Sequence, residues 1–203
     1  MSPLTVFVRT LLKTTAIFLG ATAVFLNPSL DWSAGRTAVT AQNSPRDAAI
    51  DALVSAIDDT DAGVRRQAVV ALGHLGSPRA VPGLIGALDD QDVDIRQRVV
   101  AALGQIGDRR AVPALISALK DPEPRIRMRA ATALGELADT TAVEPLITAV
   151  TDANADVRRR AVTALGEIGD TRALPALTKA VKDEDANVRR YAVLALAGLT
   201  GEN

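Results

Sequence analysis

The sequence predicts an all-α fold, an elongated solenoid of about five helix-pair repeats, each 31 residues long. Two observations predict it. A Val-Arg or Ile-Arg pair recurs every 31 residues without a slip, at Val64-Arg65, Ile95-Arg96, Ile126-Arg127, Val157-Arg158 and Val188-Arg189. Seven residues after each arginine comes a leucine, at Leu72, Leu103, Leu134, Leu165 and Leu196. Fixed periods of about 20 to 50 residues are typical of stacked units without a single central core, a shape that favours recognition by a surface.

The first helix predicted in each unit has one apolar face. Its first copy carries Val64, Ala68, Ala71, Leu72 and Leu75 at helical spacing, and these columns stay aliphatic in all five copies. An aspartate precedes each of these helices, and we expect it to be the N-cap: Asp59, Asp90, Asp121, Asp152 and Asp183. The residues expected to close the helices in a left-handed turn are Gly76, Gly107, Ala138 and Gly169.

A second, shorter helix is predicted from Val81, Leu84, Ile85 and Leu88, and its columns also recur. Pro82, Pro113 and Pro175 lie near the start of this helix, where a missing N–H is tolerated, and the exact first residue stays open. The predicted repeat domain, residues 42–203, divides into a half unit, four full units and a terminal half unit: 45–58, 59–89, 90–120, 121–151, 152–182 and 183–199.

Residues 1–41 differ in kind and predict a signal peptide. Arg9 and Lys13 precede an apolar run from Thr14 to Leu26, and Val39-Thr40-Ala41 has the small residues of a cleavage site. At about 1.5 Å per residue this run spans roughly 20 Å, which is short of the hydrocarbon core of about 30 Å. We therefore expect an exported protein, periplasmic or extracellular, that touches a membrane only if the leader stays uncleaved as an N-terminal anchor.

Charge and composition argue against nucleic acid as a partner. Removing residues 1–41 takes away three of the 23 basic and one of the 24 acidic residues, so the formal charge changes from −1 to −3. Tyr191 is then the last aromatic residue, which leaves almost no platform for base stacking. Because the chain has no cysteine, its stability depends on packing without disulfides.

The repeated string Asp-x-x-x-x-Val-Arg-x-x-Ala-x-x-Ala-Leu-Gly-x-x-Gly-Asp-x-Arg-Ala-Val-Pro resembles HEAT repeats, specifically the HEAT-like repeats of phycobilisome lyases, most plainly over 108–119 and 152–177. The resemblance implies a right-handed superhelix whose second helices line the concave wall. It implies a binding scaffold or a bilin lyase subunit, and a thylakoid lumen location if the source is cyanobacterial. One branch holds iron with repeated His-Glu pairs. Here the only histidine, His74, precedes Leu75, so we expect no metal, cofactor or catalytic residue.

Each predicted capping aspartate stands six residues before an arginine, and in the related family such residues form a structural ladder. A planar guanidinium can bind carboxylates and loop carbonyls of adjacent units, so we expect a structural role for these ten residues. They are Asp59 and Arg65, Asp90 and Arg96, Asp121 and Arg127, Asp152 and Arg158, and Asp183 and Arg189.

The candidate protein-binding surface is a column of mostly small residues along the second helices: Ser55, Gly86, Ser117, Thr148 and Lys179. Beside it runs a second column of small or apolar residues: Ala52, Gly83, Ala114, Pro145 and Ala176. Small side chains let a partner's backbone approach closely, but they also permit tight curvature of the solenoid, and both interpretations stay open. The predicted function is a non-enzymatic scaffold that binds another protein through its concave face. The alternative is a phycobilin lyase-like or lyase-chaperone subunit that holds a ligand there.

The predicted leader has a spectroscopic consequence. Trp32 is the only tryptophan, so cleavage after Ala41 leaves a chain that begins at Gln42 and has no tryptophan signal. N-terminal sequencing and near-ultraviolet circular dichroism of the protein isolated after export check this expectation. A strong tryptophan band would contradict cleavage at Ala41.

Overall fold

The computed structural model describes residues 44–201, and ten α-helices within that range alternate between the two helices of each unit. No residue of this range lies in a strand, so the predicted all-α solenoid is confirmed. In chain order the helices are α1 (Pro45–Ser55), α2 (Ala62–Leu75), α3 (Val81–Gly86), α4 (Val93–Ile106), α5 (Val112–Ala118), α6 (Pro124–Leu137), α7 (Val143–Ala149), α8 (Ala155–Ile168), α9 (Leu174–Ala180) and α10 (Ala186–Thr200). The even-numbered helices are the first helices, and the odd-numbered ones are the second helices.

The second helix of each full unit begins with a 3₁₀ turn, which answers where that helix starts. In the first full unit the turn is Pro78–Ala80, and Val81 begins the α-helix with Pro82 in its first turn. The Ser77 side chain accepts the backbone N–H of Arg79 and so closes the turn. Asp108, Asp139 and Asp170 do the same in the later units. Each first helix therefore connects to its second helix through a capped, rigid corner.

The predicted N-caps are wrong by two residues. The residues observed at the N-cap of the first helices are Asp61, Asp92, Glu123, Asn154 and Asp185. Each predicted cap instead accepts the backbone N–H two residues further on, at 2.8–2.9 Å; these residues are Asp59, Asp90, Asp121, Asp152 and Asp183. Such a side-chain turn is a competing use of aspartate before a helix, and it delays the helix start.

The C-termini of the first helices match the sequence prediction. Gly76, Gly107 and Gly169 adopt left-handed backbone angles, with φ between 61° and 74°, and Ala138 takes the same region at φ 50°. An alanine there is strained by its Cβ, whereas glycine is not. The left-handed residue ends the helix and turns the chain toward the next second helix.

The core of the array is a continuous stack of first helices. Each first helix packs on its neighbours in the adjacent units and on the second helix before it. Leu72, Leu103, Leu134 and Leu165 are completely buried in this stack. The helices approach closely because a glycine column faces an alanine column. A Cβ at Gly104, for example, would lie 3.0 Å from the Cβ of Ala133.

Burial within a column depends on whether a neighbour is present. Val64 is 42% exposed, whereas the same column is at most 1% exposed at Ile95, Ile126, Val157 and Val188. Leu75 is likewise exposed at 37%. The face assigned to α2 from its spacing is correct in direction, since Ala68 and Leu72 are buried. Val64 and Leu75 are exposed because no first helix precedes α2 among the described residues. Stability in this fold is therefore a property of the contacts between units.

Across residues 44–201, no helix is both long enough and apolar enough to cross a membrane. The predicted leader, residues 1–41, lies outside the described residues.

Arginines of the first helices connect successive units. Each of the first four of these arginines donates through its Nε to the aspartate 25 residues further along, at 2.7–3.0 Å. The Nη1 of the same arginine donates to the carbonyl oxygen of the aspartate six residues before it. The pairs across units are Arg65 with Asp90, Arg96 with Asp121, Arg127 with Asp152 and Arg158 with Asp183. Each arginine therefore binds the backbone of its own unit and the carboxylate of the next.

The pair of Arg127 and Asp152 shows how the arginine ladder stabilises the contact between units. Burial alone would raise the pKa of Asp152, but hydrogen bonds from Arg127 and from the backbone N–H of Asn154 hold that pKa below its ordinary value of 3.8. The side chains of Arg127 and Asp152 are only 15% and 13% exposed. A planar two-pronged contact at this depth fixes the register of one unit on the next.

The burial of Leu134 predicts a large stability cost when it is truncated. Leu134→Ala should lower the free energy of unfolding by about 2–5 kcal/mol, because it leaves a cavity in the middle of the stack. Leu194, which is 65% exposed, is the matched control, and Leu194→Ala should change stability by no more than about 0.5 kcal/mol. Urea denaturation measures both values. Equal effects would contradict the assigned helix faces.

The depressed pKa of Asp152 predicts a pH-dependent contribution to stability. A carboxyl group whose pKa is lower in the folded state stabilises above its unfolded value of 3.8, and this contribution is lost as the pH falls through the folded value. Asp152→Asn should therefore cost about 1.5–3 kcal/mol at neutral pH, and the difference from the native chain should shrink in acid. Urea denaturation at pH values on both sides of 3.8 tests this. At neutral pH the exposed control Asp89→Asn should change the free energy of unfolding little. A stability difference between Asp152→Asn and the native chain that grows in acid would contradict the structural role of the ladder.

Candidate functional site

The candidate binding column lies on one exposed stripe of the second helices, here called the second-helix face. Its five members follow one another along α1, α3, α5, α7 and α9, and all are exposed: Ser55, Gly86, Ser117, Thr148 and Lys179. The 31-residue period places them one per unit, because each falls at the same position of its helix. The face is therefore a row of equivalent positions whose side chains differ.

The hydroxyl groups on this face are already oriented by their own helices. Ser55, Ser117 and Thr148 each donate to the carbonyl oxygen four residues earlier, at 3.1–3.2 Å. A hydroxyl group that donates its only hydrogen within the helix keeps its oxygen lone pairs for an incoming donor. The second-helix face thus offers acceptors for backbone or side-chain N–H groups.

Gly83 and Gly86 distinguish the two interpretations of the small residues. A Cβ at Gly83 would lie 2.8 Å from Cγ1 of Val54, so glycine is needed there for α3 to pack against α1. A Cβ at Gly86 would meet no atom within 4 Å. The backbone of Gly86, with φ −60° and ψ −33°, also suits any residue. The lack of a side chain at Gly83 is therefore needed for the packing of α3 on α1. At Gly86 the lack of a side chain leaves the surface open.

An apolar groove runs between adjacent second helices at the middle of the face. It has a volume of about 580 Å³ and is lined by Ile85 and Leu88 on one side and by Ala114 and Ser117 on the other. A second hollow of about 650 Å³ lies beside Lys179, and it reaches the ladder residues Arg158 and Asp183. The first groove has apolar sides with charged residues at its rim, which suits a side chain or segment of another molecule. The second hollow is lined mainly by charged and polar residues.

A column with four charged members borders the face, and the sequence analysis did not identify it. It stands three residues after each member of the face, and all five residues are exposed: Asp58, Asp89, Lys120, Thr151 and Lys182. The column changes from acidic to basic along the solenoid. Its regular 31-residue spacing was the available signal, but only the grooves show that these side chains share a rim, since Asp89 and Lys120 line one groove and Lys182 the other.

The arginines of the first helices, on the outer surface, form local contacts. Arg66 pairs with Asp92 across units at 3.0 Å. Asp156 pairs with Arg159 at 3.1 Å, at i,i+3 helical spacing. Arg159 also lies over the ring of Tyr191, 5.5 Å from its centroid. These side chains are therefore engaged with their own array.

Glu167, on the first helix α8, has a perturbed pKa. Burial, together with the charge of Glu136, raises the pKa of Glu167. His74 is exposed near the end of α2. Within residues 44–201 no cluster of three His, Cys, Asp or Glu side chains is close enough to hold a metal ion. Eight of the ten ladder residues form the contacts between units described above, whereas in the described part of the chain Asp59 and Arg189, at the two ends, bond only within their own units.

Known structures share this architecture. The complex of CpcE and CpcF of phycocyanin lyase from Nostoc sp. PCC7120 is similar with a TM-score of 0.66 and 25% identity, over 91% of this chain and 70% of that chain. A designed armadillo repeat protein in complex with the peptide (KR)4 has a TM-score of 0.61 and 22% identity, over 76% of this chain and 83% of the other. At that identity the second likeness concerns the fold alone.

Family membership rests on the sequence itself. No curated protein matches the chain. The profile of the family described as HEAT repeats matches residues 26–100, 81–156 and 143–203, which together span most of the sequence. The predicted resemblance to phycobilisome-lyase-type HEAT-like repeats is confirmed by this match and by the phycocyanin lyase structure. The chain belongs to the HEAT repeat family.

Proposed function

We propose that this chain is an exported, non-enzymatic scaffold that binds another protein along its second-helix face. The observation that carries the proposal is the open surface at Gly86 beside the apolar groove of Ile85, Leu88 and Ala114. Nothing in the packing requires a glycine there, whereas a partner backbone lying on α3 and α5 does benefit from its small size.

The charges along the face define the kind of partner. Asp58 and Asp89 are exposed at one end, and Lys179 and Lys182 are exposed at the other. A segment with basic residues at one end and acidic residues at the other matches this order in one direction only. Complementary rim charges of this type set orientation and association rate more than affinity.

The groove contributes to binding affinity, whereas the rim charges mainly set orientation and association rate. An apolar side chain of the partner that enters the space between Leu88 and Ala114 removes apolar surface from water, and each square ångström contributes about 25 cal/mol. The hydroxyl oxygens of Ser117 and Thr148 accept hydrogen bonds beside it. An apolar anchor with polar neighbours is the usual composition of a protein-binding hot spot.

The proposed location outside the cytoplasm rests on the sequence of residues 1–41. A basic start, an apolar run and small residues before Gln42 support export, with the periplasm or the extracellular space as the destination. If the source is cyanobacterial, the thylakoid lumen is a further destination, and an uncleaved leader would anchor the chain to a membrane.

A lyase-like subunit is the second candidate function, and the likeness to the phycocyanin lyase complex favours it. In that case the apolar groove holds a bilin in place of a protein segment. Mixing the purified chain with a bilin distinguishes the two proposals. A protein-binding scaffold gives no induced visible circular dichroism, whereas a dichroic band that disappears in Gly86→Tyr supports the lyase-like function.

Bulky residues on the second-helix face should abolish partner binding. Gly86→Tyr combined with Ser117→Tyr fills the open surface, and should reduce recovery of the partner at least about tenfold, equivalent to about 1.4 kcal/mol of binding free energy. The measurement is crosslinking of the tagged chain in its own cells, followed by identification and quantification of the attached protein.

The matched control is Gln105→Tyr, which places the same side chain on an exposed position of the first helix α4. This variant should recover the partner as well as the native chain does. Thermal melting checks that all variants are folded. Equal recovery from the face variant and the control would contradict the proposed site.

A further inference from the structure

The two ends of the described array are complementary halves of one unit. The array begins with α1, a second helix without a first helix beside it among residues 44–201, and its last helix is α10, a first helix without a following second helix in that range. Placed one after the other, α10 and α1 have the order of the helices within a full unit. Each end therefore presents the surface that the other end would cover.

The end that contains α1 exposes columns that are buried elsewhere. Ala49 is exposed and Leu53 is half-buried, although their equivalents in the later second helices are completely buried. These equivalents are Ala80, Ala111, Ala142 and Ala173 for Ala49, and Leu84, Leu115, Leu146 and Leu177 for Leu53. Val64 on α2 shows the same contrast. All three side chains lie at the end of the array where residues 44–201 contain no preceding first helix.

The end that contains α10 exposes the opposite column. Val193 is 53% exposed, whereas Val69, Val100, Ala131 and Val162, which occupy the same position in the earlier units, are completely buried. Leu196 is half-buried, and its four equivalents are completely buried. An apolar first-helix surface at one end thus matches an apolar surface at the other that needs a first helix.

The arginine ladder also has one unpaired group at each end. Arg189 donates through Nη1 to the carbonyl oxygens of Asp183 and Glu184, as the other arginines do within their own units. Residues 190–201 contain no acidic side chain for its Nε and Nη2. At the other end, the carboxylate of Asp59 accepts the backbone N–H of Asp61, and no arginine of the described part of the chain pairs with it. Elsewhere the equivalent aspartate receives an arginine from the preceding unit.

We infer that a second copy of this chain binds end to end, with α10 of one copy packed on α1 and α2 of the next. In this register Arg189 of one copy donates to Asp59 of the next, which continues the ladder. Arg190, in the position of Arg66, lies beside Asp61, in the position of Asp92. The contact joins two different surfaces, so it repeats in one direction and builds linear or ring-shaped assemblies.

The glycine column shows how tight this junction is. Within the array the Cβ position of Gly166 lies 2.9 Å from the Cβ of Ala195. At the junction Ala197 takes the place of the glycine and faces Ala71 of the next copy. Two methyl groups cannot approach that closely, so the helices at the junction stand further apart than those inside the array. The end-to-end contact is therefore weaker than the contacts between units and depends on concentration.

Charge reversal tests the inference on the full chain. Sedimentation velocity of the native protein should show mass rising with concentration, whereas Arg189→Asp and Asp59→Arg should each need at least tenfold higher concentration to associate. An equimolar mixture of these two variants should associate again, because each end then meets an opposite charge. Arg98→Asp, the same change at an exposed position of α4, should behave as the native protein does.

Several outcomes would overturn the inference. A native chain that stays monomeric up to about 100 μM would show that the end-to-end contact does not form, since even contacts of micromolar Kd are populated at that concentration. Association that neither reversal weakens comes from another surface or from residues 1–43. Two reversed variants that fail to associate when mixed show that Arg189 and Asp59 do not meet.

Disulfide trapping provides a geometric readout, because the chain has no cysteine of its own. Ala197→Cys and Ala71→Cys, mixed under oxidising conditions, should form a disulfide-linked heterodimer, since the predicted junction brings the two positions near the Cβ separation of about 3.8 Å that a disulfide needs. Neither variant should form a disulfide alone. A dimer of Ala197→Cys alone, or no crosslink in the mixture, would contradict the end-to-end register.

Discussion

Burial between neighbouring units is the constraint on which the rest of this structure depends. A single helix pair leaves its apolar columns open on both sides, as Val64 and Val193 show at the two ends of the array. Inside the array the same columns are completely buried, because the first helices of adjacent units cover them. Stability therefore accumulates unit by unit, and within residues 44–201 the buried apolar side chains form one cluster that runs through all the units.

The arginine ladder fixes the register between units, which burial of apolar surface alone leaves open. Apolar columns tolerate some sliding of one helix over another, whereas a guanidinium that binds a carbonyl of its own unit and a carboxylate of the next allows one register. The contact of Arg127 with Asp152 is short, planar and largely shielded from water. Together with the glycine and alanine columns it sets both the distance and the register of stacking.

Regular stacking explains how the second helices present a row of equivalent, exposed positions. Because every unit repeats the same backbone, the positions that do not serve packing line up along the second helices and are free to differ. Ser55, Gly86, Ser117, Thr148 and Lys179 are such positions. The neighbouring column changes from Asp58 to Lys182, and it gives the surface a polarity along the array. Two separate open hollows lie beside this column, one at Asp89 and Lys120 and the other at Lys182.

Much of this organisation follows from the sequence by itself. The 31-residue period, the two helices per unit, their apolar columns and their left-handed C-termini are local patterns, and each depends on residues within one turn or one unit. The period also indicates which positions become equivalent, so the candidate binding column was predicted before its surroundings were known. The HEAT repeat family is recognisable at the same level, because its signature lies within single units.

Only the tertiary structure decided the features that depend on contacts between units. Spacing suggested that Asp90 caps α4, but its carboxylate accepts a backbone N–H ahead of the helix and binds Arg65 of the preceding unit. Gly83 and Gly86 look alike in sequence, yet one is packed against Val54 and the other faces open space. Their roles depend on the distance and angle between helices 31 residues apart. That geometry is a sum over many side-chain contacts, and no local spacing rule contains it.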